Sequence, residues 1–237
     1  MADASSVAAH VVVADLSSPE IDGEDAHHLR SVLRLRPGEA VGATDGSGGW
    51  RLCRFGPGGS LEIDGEVERE SRPVPILTVA FAPVKGDRPE WAVQKLTELG
   101  VDRIVLMHTD RSVVRWDETR AASHLDRLRK VARQALMQSR LCWMPQVVGV
   151  SEFSEVAAAG GASVGASAAL AAPGGSPPSL DFPTLLIGPE GGWSLAEEGS
   201  GLARVALGPA VLRSESAAVA AGVLLAALRA GLVRPAT

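Results

Sequence analysis

The spacing of apolar positions along this chain changes near residue 72. Before that point apolar residues come in short runs between turn formers. Ala26, Leu29, Val32 and Leu33 recur at helical spacing and predict a helix over 25–35, which Pro37-Gly38 stops. Strand-like runs follow at 40–44, 50–55 and 61–67. They are separated by Asp45-Gly46-Ser47-Gly48-Gly49 and Gly56-Pro57-Gly58-Gly59, residues that reverse the chain. This is the pattern of a small barrel or curled sheet. Residues 69–75, RESRPVP, read as a linker.

After the linker, strands and helices alternate. Residues 76–82 predict a buried strand. The helix that follows has Pro89 in its first turn and Gly100 at its C-terminal cap. A strand over 102–109 and a long helix over 118–138 come next. A strand over 146–150 leads to a short helix capped by Ser151. Residues 157–179 are almost all Ala, Gly, Ser and Pro; 162–170 still fit a strand, whereas 172–179, APGGSPPS, read as surface loop. Strands over 184–187 and 204–208 and a helix over 214–230 complete the chain, with Ser194 and Glu197 spaced as a capping box between the two strands. The predicted organisation is a β-rich domain over 1–72 and an α/β domain over 73–237, α+β overall, with a mostly parallel sheet covered on both faces.

Composition narrows the function classes. At 237 residues, with 22% charged and 46% hydrophobic positions, the chain has the makeup of an ordinary globular protein with a substantial core. Its start, Met-Ala-Asp-Ala-Ser, lacks the basic and apolar regions of a secretory signal, and the apolar run 217–228 is too short to span a bilayer. A cytoplasmic protein without a membrane partner is the expectation. Cys53 and Cys142 suggest no disulfide framework, and no Cys/His cluster has zinc spacing, so no metal is expected.

The net charge of −5 argues mildly against a nucleic-acid partner. Its distribution says otherwise. Arg30, Arg34 and Arg36 cluster early in the chain. The long helix has Leu125, Leu128, Val131, Ala132, Ala135 and Leu136 on one stripe, with Arg127, Arg129, Lys130, Arg133 and Arg140 beyond it. Such a face is either solvated charge or a phosphate-binding surface.

Two glycine turns carry the candidate chemistry. Ile187, Gly188, Pro189, Glu190, Gly191 and Gly192 follow a predicted strand directly. Ligands of open α/β sheets bind beyond the carboxyl ends of the strands, and glycine there lets the backbone approach a ligand closely. The turn matches neither GxGxxG nor a phosphate-binding P-loop. Leu207, Gly208, Val211, Leu212, Arg213 and Ser214 repeat the arrangement ahead of the last helix. Ser214 and Glu215 serve equally as helix-start residues, but Arg213 is placed to meet an anion or a carbonyl edge. Lys85 follows another strand end, and Arg111 the next; Lys95 either pairs with Glu98 across a helix turn or stays exposed.

With these residues in hand, the chain resembles the ribosomal RNA small subunit methyltransferase E family of the SPOUT superfamily, which makes N3-methyluridine in small-subunit (16S) ribosomal RNA. The resemblance spans almost the whole chain. It rests on His28 with VLRLRPGE, DGSGGW, KGDRPEWAVQKLTELGV, TDRSV, QALMQSR, IGPEGGWSLAE and LGPAVLRSESA. The last two, in this order and at this separation, are its most specific marks. Family members often have a second Arg after the position of Arg140, where Leu141 and Cys142 stand here. They also often carry a Glu where Gln134 or Met137 stands.

The resemblance implies a PUA-like barrel followed by a SPOUT domain with a deep trefoil knot, a homodimer, and S-adenosylmethionine as methyl donor. Connection rules alone favour an ordinary doubly wound sheet. Carried onto this chain, 187–192 and 207–214 become cofactor loops. Ribosomal RNA, free or in the small subunit, becomes the partner, met by Arg30, Arg34, Arg36, Lys95, Arg111, Arg133 and Arg140. N3 of uracil must lose a proton before it attacks a methyl group. Arg213 and Lys85 are candidates to stabilise the resulting anion, and Glu190 or Glu215 to take the proton. Two alternatives stay open: a SPOUT-type enzyme acting on another RNA, and a dimeric RNA-binding module without catalysis.

Overall fold

The computed structural model describes residues 7–116, 118–161 and 167–234. It divides into two compact units, one of residues 1–72 with 133–144 and one of residues 73–132 with 145–237.

In the first unit, β1 (Ala9–Val12) pairs parallel with β2 (Ala40–Thr44). Strand β3 (Gly49–Phe55) pairs antiparallel with β2, β4 (Leu61–Ile63) and β5 (Glu68–Arg69). The expected strand over 61–67 is thus interrupted, and Arg69 lies in β5 rather than in a linker. Between β2 and β3, Asp45 Oδ1 accepts from the N–H groups of Ser47 and Gly49, which closes the turn. Gly42 is required by packing, since a Cβ there would lie 2.5 Å from Nδ1 of buried His10. Burial pushes that imidazole down to about 4.

The first helix differs from its sequence pattern. Asp22 caps α1 (Gly23–His27) through the Asp25 N–H, and a π-helical turn, His28–Val32, follows. The wider turn rotates the later residues. Leu29 stays in the core and Leu35 joins it, whereas Val32 and Leu33 are exposed.

The second unit holds a six-stranded parallel sheet, ordered β11-β9-β10-β6-β7-β8. Its strands are β6 (Thr78–Phe81), β7 (Arg103–His108), β8 (Gln146–Glu152), β9 (Ala168–Ser176), β10 (Thr184–Ile187) and β11 (Ala203–Val205). Near-continuous apolar runs such as Leu185-Leu186-Ile187 suit strands buried on both faces. One face packs against α2 (Arg88–Glu98), α3 (Glu118–Ser139) and α6 (Ser214–Arg229). The other meets Val156 of α4 (Phe153–Gly161) and Trp193, which precedes α5 (Leu195–Glu198). Helix α3 crosses the boundary between units, so Arg133–Ser139 belongs to the first.

Three expectations need correction. Strand β8 runs through Ser151 and Glu152, which pair with Met107 and His108, so Ser151 does not cap α4. Strand β9 extends through Pro173, Gly174 and Gly175, which were read as loop. Its register with β11 jumps between Arg204 and Val205, and this bulge absorbs the extra residues. A Cβ on Gly175 would lie 2.6 Å from the Arg204 backbone, so the close approach demands glycine. Strand β11 stops at Val205, which leaves Leu207 and Gly208 in the following loop. Residues 162–166 of the expected strand over 162–170 lie outside the described residues. Among the described residues no helix is long and apolar enough to cross a membrane.

Helix α6 is fixed at its C-terminal end. Arg229 pairs with buried Asp102 and donates to the carbonyls of Gly100 (2.6 Å) and Pro75 (3.2 Å). The same Asp102 carboxylate accepts the Leu77 N–H at 2.8 Å, ahead of β6. Arg229→Met strands that buried carboxylate, so it is expected to lower the unfolding free energy by about 3 kcal/mol in urea titration.

Candidate active site at the carboxyl edge of the sheet

Strand β10 delivers Ile187, which is buried, into the first glycine turn. The Trp193 ring backs Gly188, where a Cβ would come within 3.1 Å of it, and the indole N–H donates to Ala171 O at 3.0 Å. Gly192 has φ +71°, a conformation side chains disfavour. A Cβ on Gly191 would sit at ordinary contact distance, 3.5 Å, from the Arg111 side chain. Pro189 is half-buried and Glu190 exposed.

Glu197 locks this turn to the end of β7. The predicted capping box forms, with Ser194 N–H donating to Glu197 Oε2 at 2.8 Å. The other carboxylate oxygen, Oε1, accepts the Asp110 N–H at 2.9 Å. Ser194 Oγ donates to Asp110 Oδ2, and Arg111 Nη1 donates to Gly191 O at 2.9 Å. The capping spacing revealed Glu197 as a helix starter; the separation of 87 residues hid its second task.

The second loop runs from Leu207 to Arg213. Among the described residues, no backbone N–H or carbonyl from Leu207 to Leu212 has a backbone partner. Leu207 is half-buried, and Gly208 has φ +151°. Val211 is 94% exposed and Leu212 40%, so an apolar strip lies open beside free backbone donors and acceptors. Arg213 occupies the cap position of α6 with an exposed side chain that makes no cap bond. Ser214 and Glu215 are buried, and Ser214 Oγ and Glu215 Oε2 have no hydrogen-bond partner among the described residues.

Arg88 joins the first loop to the start of α6. Its Nη1 lies 3.5 Å from Glu190 Oε1, and its Nε lies 3.7 Å from Glu215 Oε1. Sequence reasoning chose Lys85, three residues earlier, and passed over Arg88. A signal existed: a cation in the first turn of a helix opposes the helix dipole and needs another reason to be there. Lys85 itself is exposed in the β6–α2 loop, with no hydrogen bond or ion pair among the described residues.

The remaining predicted residues are dispersed. Lys95 is held by Glu98 at 2.8 Å within α2. In the first unit, Arg133 is committed to Asp25 and to Val12 O, and the Asp25 hydrogen bond raises its pKa. The basic face of α3 is partly neutralised: Glu90 of α2 pairs with Arg127, and Asp126 of α3 itself lies 3.6 Å from Arg129. Arg30, Arg34 and Arg36 are exposed. Arg140 ends α3 with φ +57°. Among the departures from the family pattern, Gln134 is exposed, Met137 is half-buried against the first-unit core, and Cys142 is buried with its carbonyl accepting the Gly48 N–H at 2.8 Å. Among the described residues no group of His, Cys, Asp and Glu is placed to hold a metal.

A family model for the RNA methyltransferase domain matches residues 70–226, and one for the RNA methyltransferase PUA domain matches residues 21–66. The ribosomal RNA small subunit methyltransferase E of Mycobacterium tuberculosis is 32% identical over 223 residues, covering 85% of this chain and 83% of its own. That of Bacillus subtilis is 30% identical over 218 residues, covering 83% and 85%. The crystal structure of the Neisseria gonorrhoeae enzyme bound to S-adenosylmethionine is 27% identical and superposes with a TM-score of 0.78, covering 93% of this chain and 97% of the other. The chain belongs to the ribosomal RNA small subunit methyltransferase E family.

Arg88→Gln removes the cation shared by Glu190 and Glu215. Amide hydrogen exchange is expected to speed up in 188–192 and at the start of α6, with the first unit unchanged.

Proposed function

We propose that this protein transfers a methyl group from S-adenosylmethionine to N3 of a uridine in small-subunit (16S) ribosomal RNA. The observation that carries the reading is the pairing of two glycine loops at one sheet edge with enclosed polar atoms, Ser214 Oγ and Glu215 Oε2, beside them. Those features fit an amphipathic cofactor. Free backbone groups from Leu207 to Leu212 suit an adenine edge, exposed Val211 and Leu212 suit its face, and Gly191 and Gly192 allow close approach. Ile187 to Gly192 and Leu207 to Ser214 would hold it.

When bound, S-adenosylmethionine supplies an electrophilic methyl group. The chain's own residues manage charge and protons. Glu190, exposed at the loop tip, takes the N3 proton directly or through water. Lys85 and Arg213, both exposed, face the negative charge that then spreads over O2 and O4. Glu215 is enclosed and acts through Arg88, setting where that cation stands relative to Glu190. The target base must be unstacked to present N3, which suits a loop or junction.

The finer architecture belongs to the same proposal: a barrel from the first five strands, and a trefoil knot through the two glycine loops. The strand order supports the knot reading, since the chain leaves β10 and crosses beyond β9 to form β11. Exposed Leu195, Val211 and Val223 in the second unit support a homodimer. The domain division at residue 72, a cytoplasmic location and independence from metal complete the reading.

The Cβ added by Gly191→Val finds ordinary contact distance to Arg111, so the effect is expected to fall on the ligand. Calorimetry should show loss of S-adenosylmethionine binding with the melting temperature unchanged; unaltered affinity rules out the cradle. Arg213→Ala should lower methyl transfer to 16S ribosomal RNA by about 100–1,000-fold without loss of stability. Near-normal turnover removes Arg213 from the reaction.

A further inference from the structure

A cavity of about 210 Å³ lies between the sheet of the second unit and α4, at the amino edge of the sheet. The glycine loops leave from the other edge. Thr184 opens β10 at the cavity, and Ile187 closes it at the first loop, about 10 Å away. Strand register builds the cavity floor. Thr184 pairs with Thr78, and Thr78 with Arg103, so the three stand in one row across β10, β6 and β7. All three line the cavity. Two residues further along β7, on the same face, Val105 starts an apolar wall that Val148 of β8 and Val156 of α4 continue.

The polar row has no partners of its own. Arg103 Nε is enclosed without a hydrogen-bond partner, and its guanidinium makes no ion pair among the described residues. Thr78 and Thr184 are 6% and 8% exposed, and neither hydroxyl makes a hydrogen bond among the described residues. Buried groups of these kinds are ordinarily satisfied. Thr97 Oγ1 donates to Val93 O at 2.8 Å, and Arg229 pairs with Asp102. A cation and two hydroxyls that all open onto one cavity form instead a donor set for an oxyanion.

The other lining residues select the anion. Glu155 is exposed at the rim, and its Oε2 accepts the Glu152 N–H at 3.1 Å. It does not pair with Arg103. One cation and one carboxylate leave no surplus positive charge for a phosphate dianion. The valine wall suits an alkyl group and gives nothing to further oxygens. The volume exceeds the ~150 Å³ that takes a benzene ring, so a carboxylate with about four or five further carbons fits.

We propose that Thr184, Thr78 and Arg103 bind the carboxylate of a small aliphatic acid, with its alkyl group against Val105, Val148 and Val156. The Arg103 Nε–H and the threonine hydroxyls donate to the carboxylate oxygens. The site is separate from the glycine loops, and the proposal does not depend on the methyl-transfer reading. The ligand is either a free short-chain acid or an aliphatic amino acid, whose ammonium group meets Glu155.

Methyl NMR titration of the full-length protein tests this. With 4-methylpentanoate, the methyl signals of Thr78, Val105, Val148 and Val156 should shift saturably, while those of Val211 and Leu212 stay in place. Leucine is the second probe. Tighter binding of leucine assigns the site to an amino acid, and weaker binding assigns it to a free acid; both support the carboxylate site. Arg103→Met should weaken binding of 4-methylpentanoate about 10–100-fold. Its melting temperature should not change, because that guanidinium leaves no partner stranded. The shape-conserving double variant Thr78→Val/Thr184→Val should weaken binding about tenfold. The absence of saturable shifts with both probes, which would mean that water alone fills the cavity, overturns the proposal. So does binding of inorganic phosphate or 3-methylbutylamine as tight as that of the acid, or undiminished affinity in the variants.

Discussion

The buried ion pair between Arg229 and Asp102 fixes the last helix, and the site hangs from the other end of that helix. Asp102 precedes β7 and also accepts the Leu77 N–H, so one carboxylate ties the entry of two sheet strands to the C-terminus of α6. Helix α6 runs 16 residues from Ser214 to that anchor, both ends included. At 1.5 Å per residue, the helix carries the constraint about 24 Å across the unit. Glycine at 222 allows close contact with α2, because a Cβ there would come within 2.6 Å of Leu96. The start of α6 is thereby held where Glu215 meets Arg88, and Arg88 in turn meets Glu190 on the first glycine loop.

The site is arranged around an electrostatic tension. Arg88 stands in the first turn of α2, where the dipole disfavours a cation, and it is offset by two carboxylates at distances too long for hydrogen bonds. Glu215 is enclosed and Glu190 exposed, so the same cation has one fixed partner and one that can move. The Glu197 node differs in kind. It is closed, and makes the turn after β7 and the first glycine loop behave as one piece. A cofactor cradle needs both: a rigid wall behind Gly188 and Gly191, and adjustable charge in front.

Much of this was legible in the sequence. The alternation after residue 72 forecast the parallel sheet, because strands buried on two faces demand apolar runs and their crossovers demand helices. Both glycine turns were visible as turns at strand ends. What escaped came from long-range partnership or from local geometry that overrides periodicity. Arg133 read as part of a basic face, yet its carboxylate partner Asp25 lies 108 residues away. Pro173-Gly174-Gly175 read as loop because the composition says so, while a register shift draws it into β9. Val32 and Leu33 read as one helical face with Ala26 and Leu29, whereas the π-helical turn is wider than 3.6-residue spacing and turns them outward. Arg88 was overlooked because its role depends on two carboxylates far away in the chain, Glu190 on the first glycine loop and Glu215 in the first turn of α6.

The central claim is that this chain installs one methyl group on N3 of a uridine in 16S ribosomal RNA. Mass spectrometry of nucleoside digests of 16S ribosomal RNA, from cells with and without the intact gene, tests it most directly. The account predicts that one N3-methyluridine disappears when the gene is lost and returns when it is restored, but does not return with the Arg213→Ala form. An unchanged N3-methyluridine content in cells lacking the gene would contradict it.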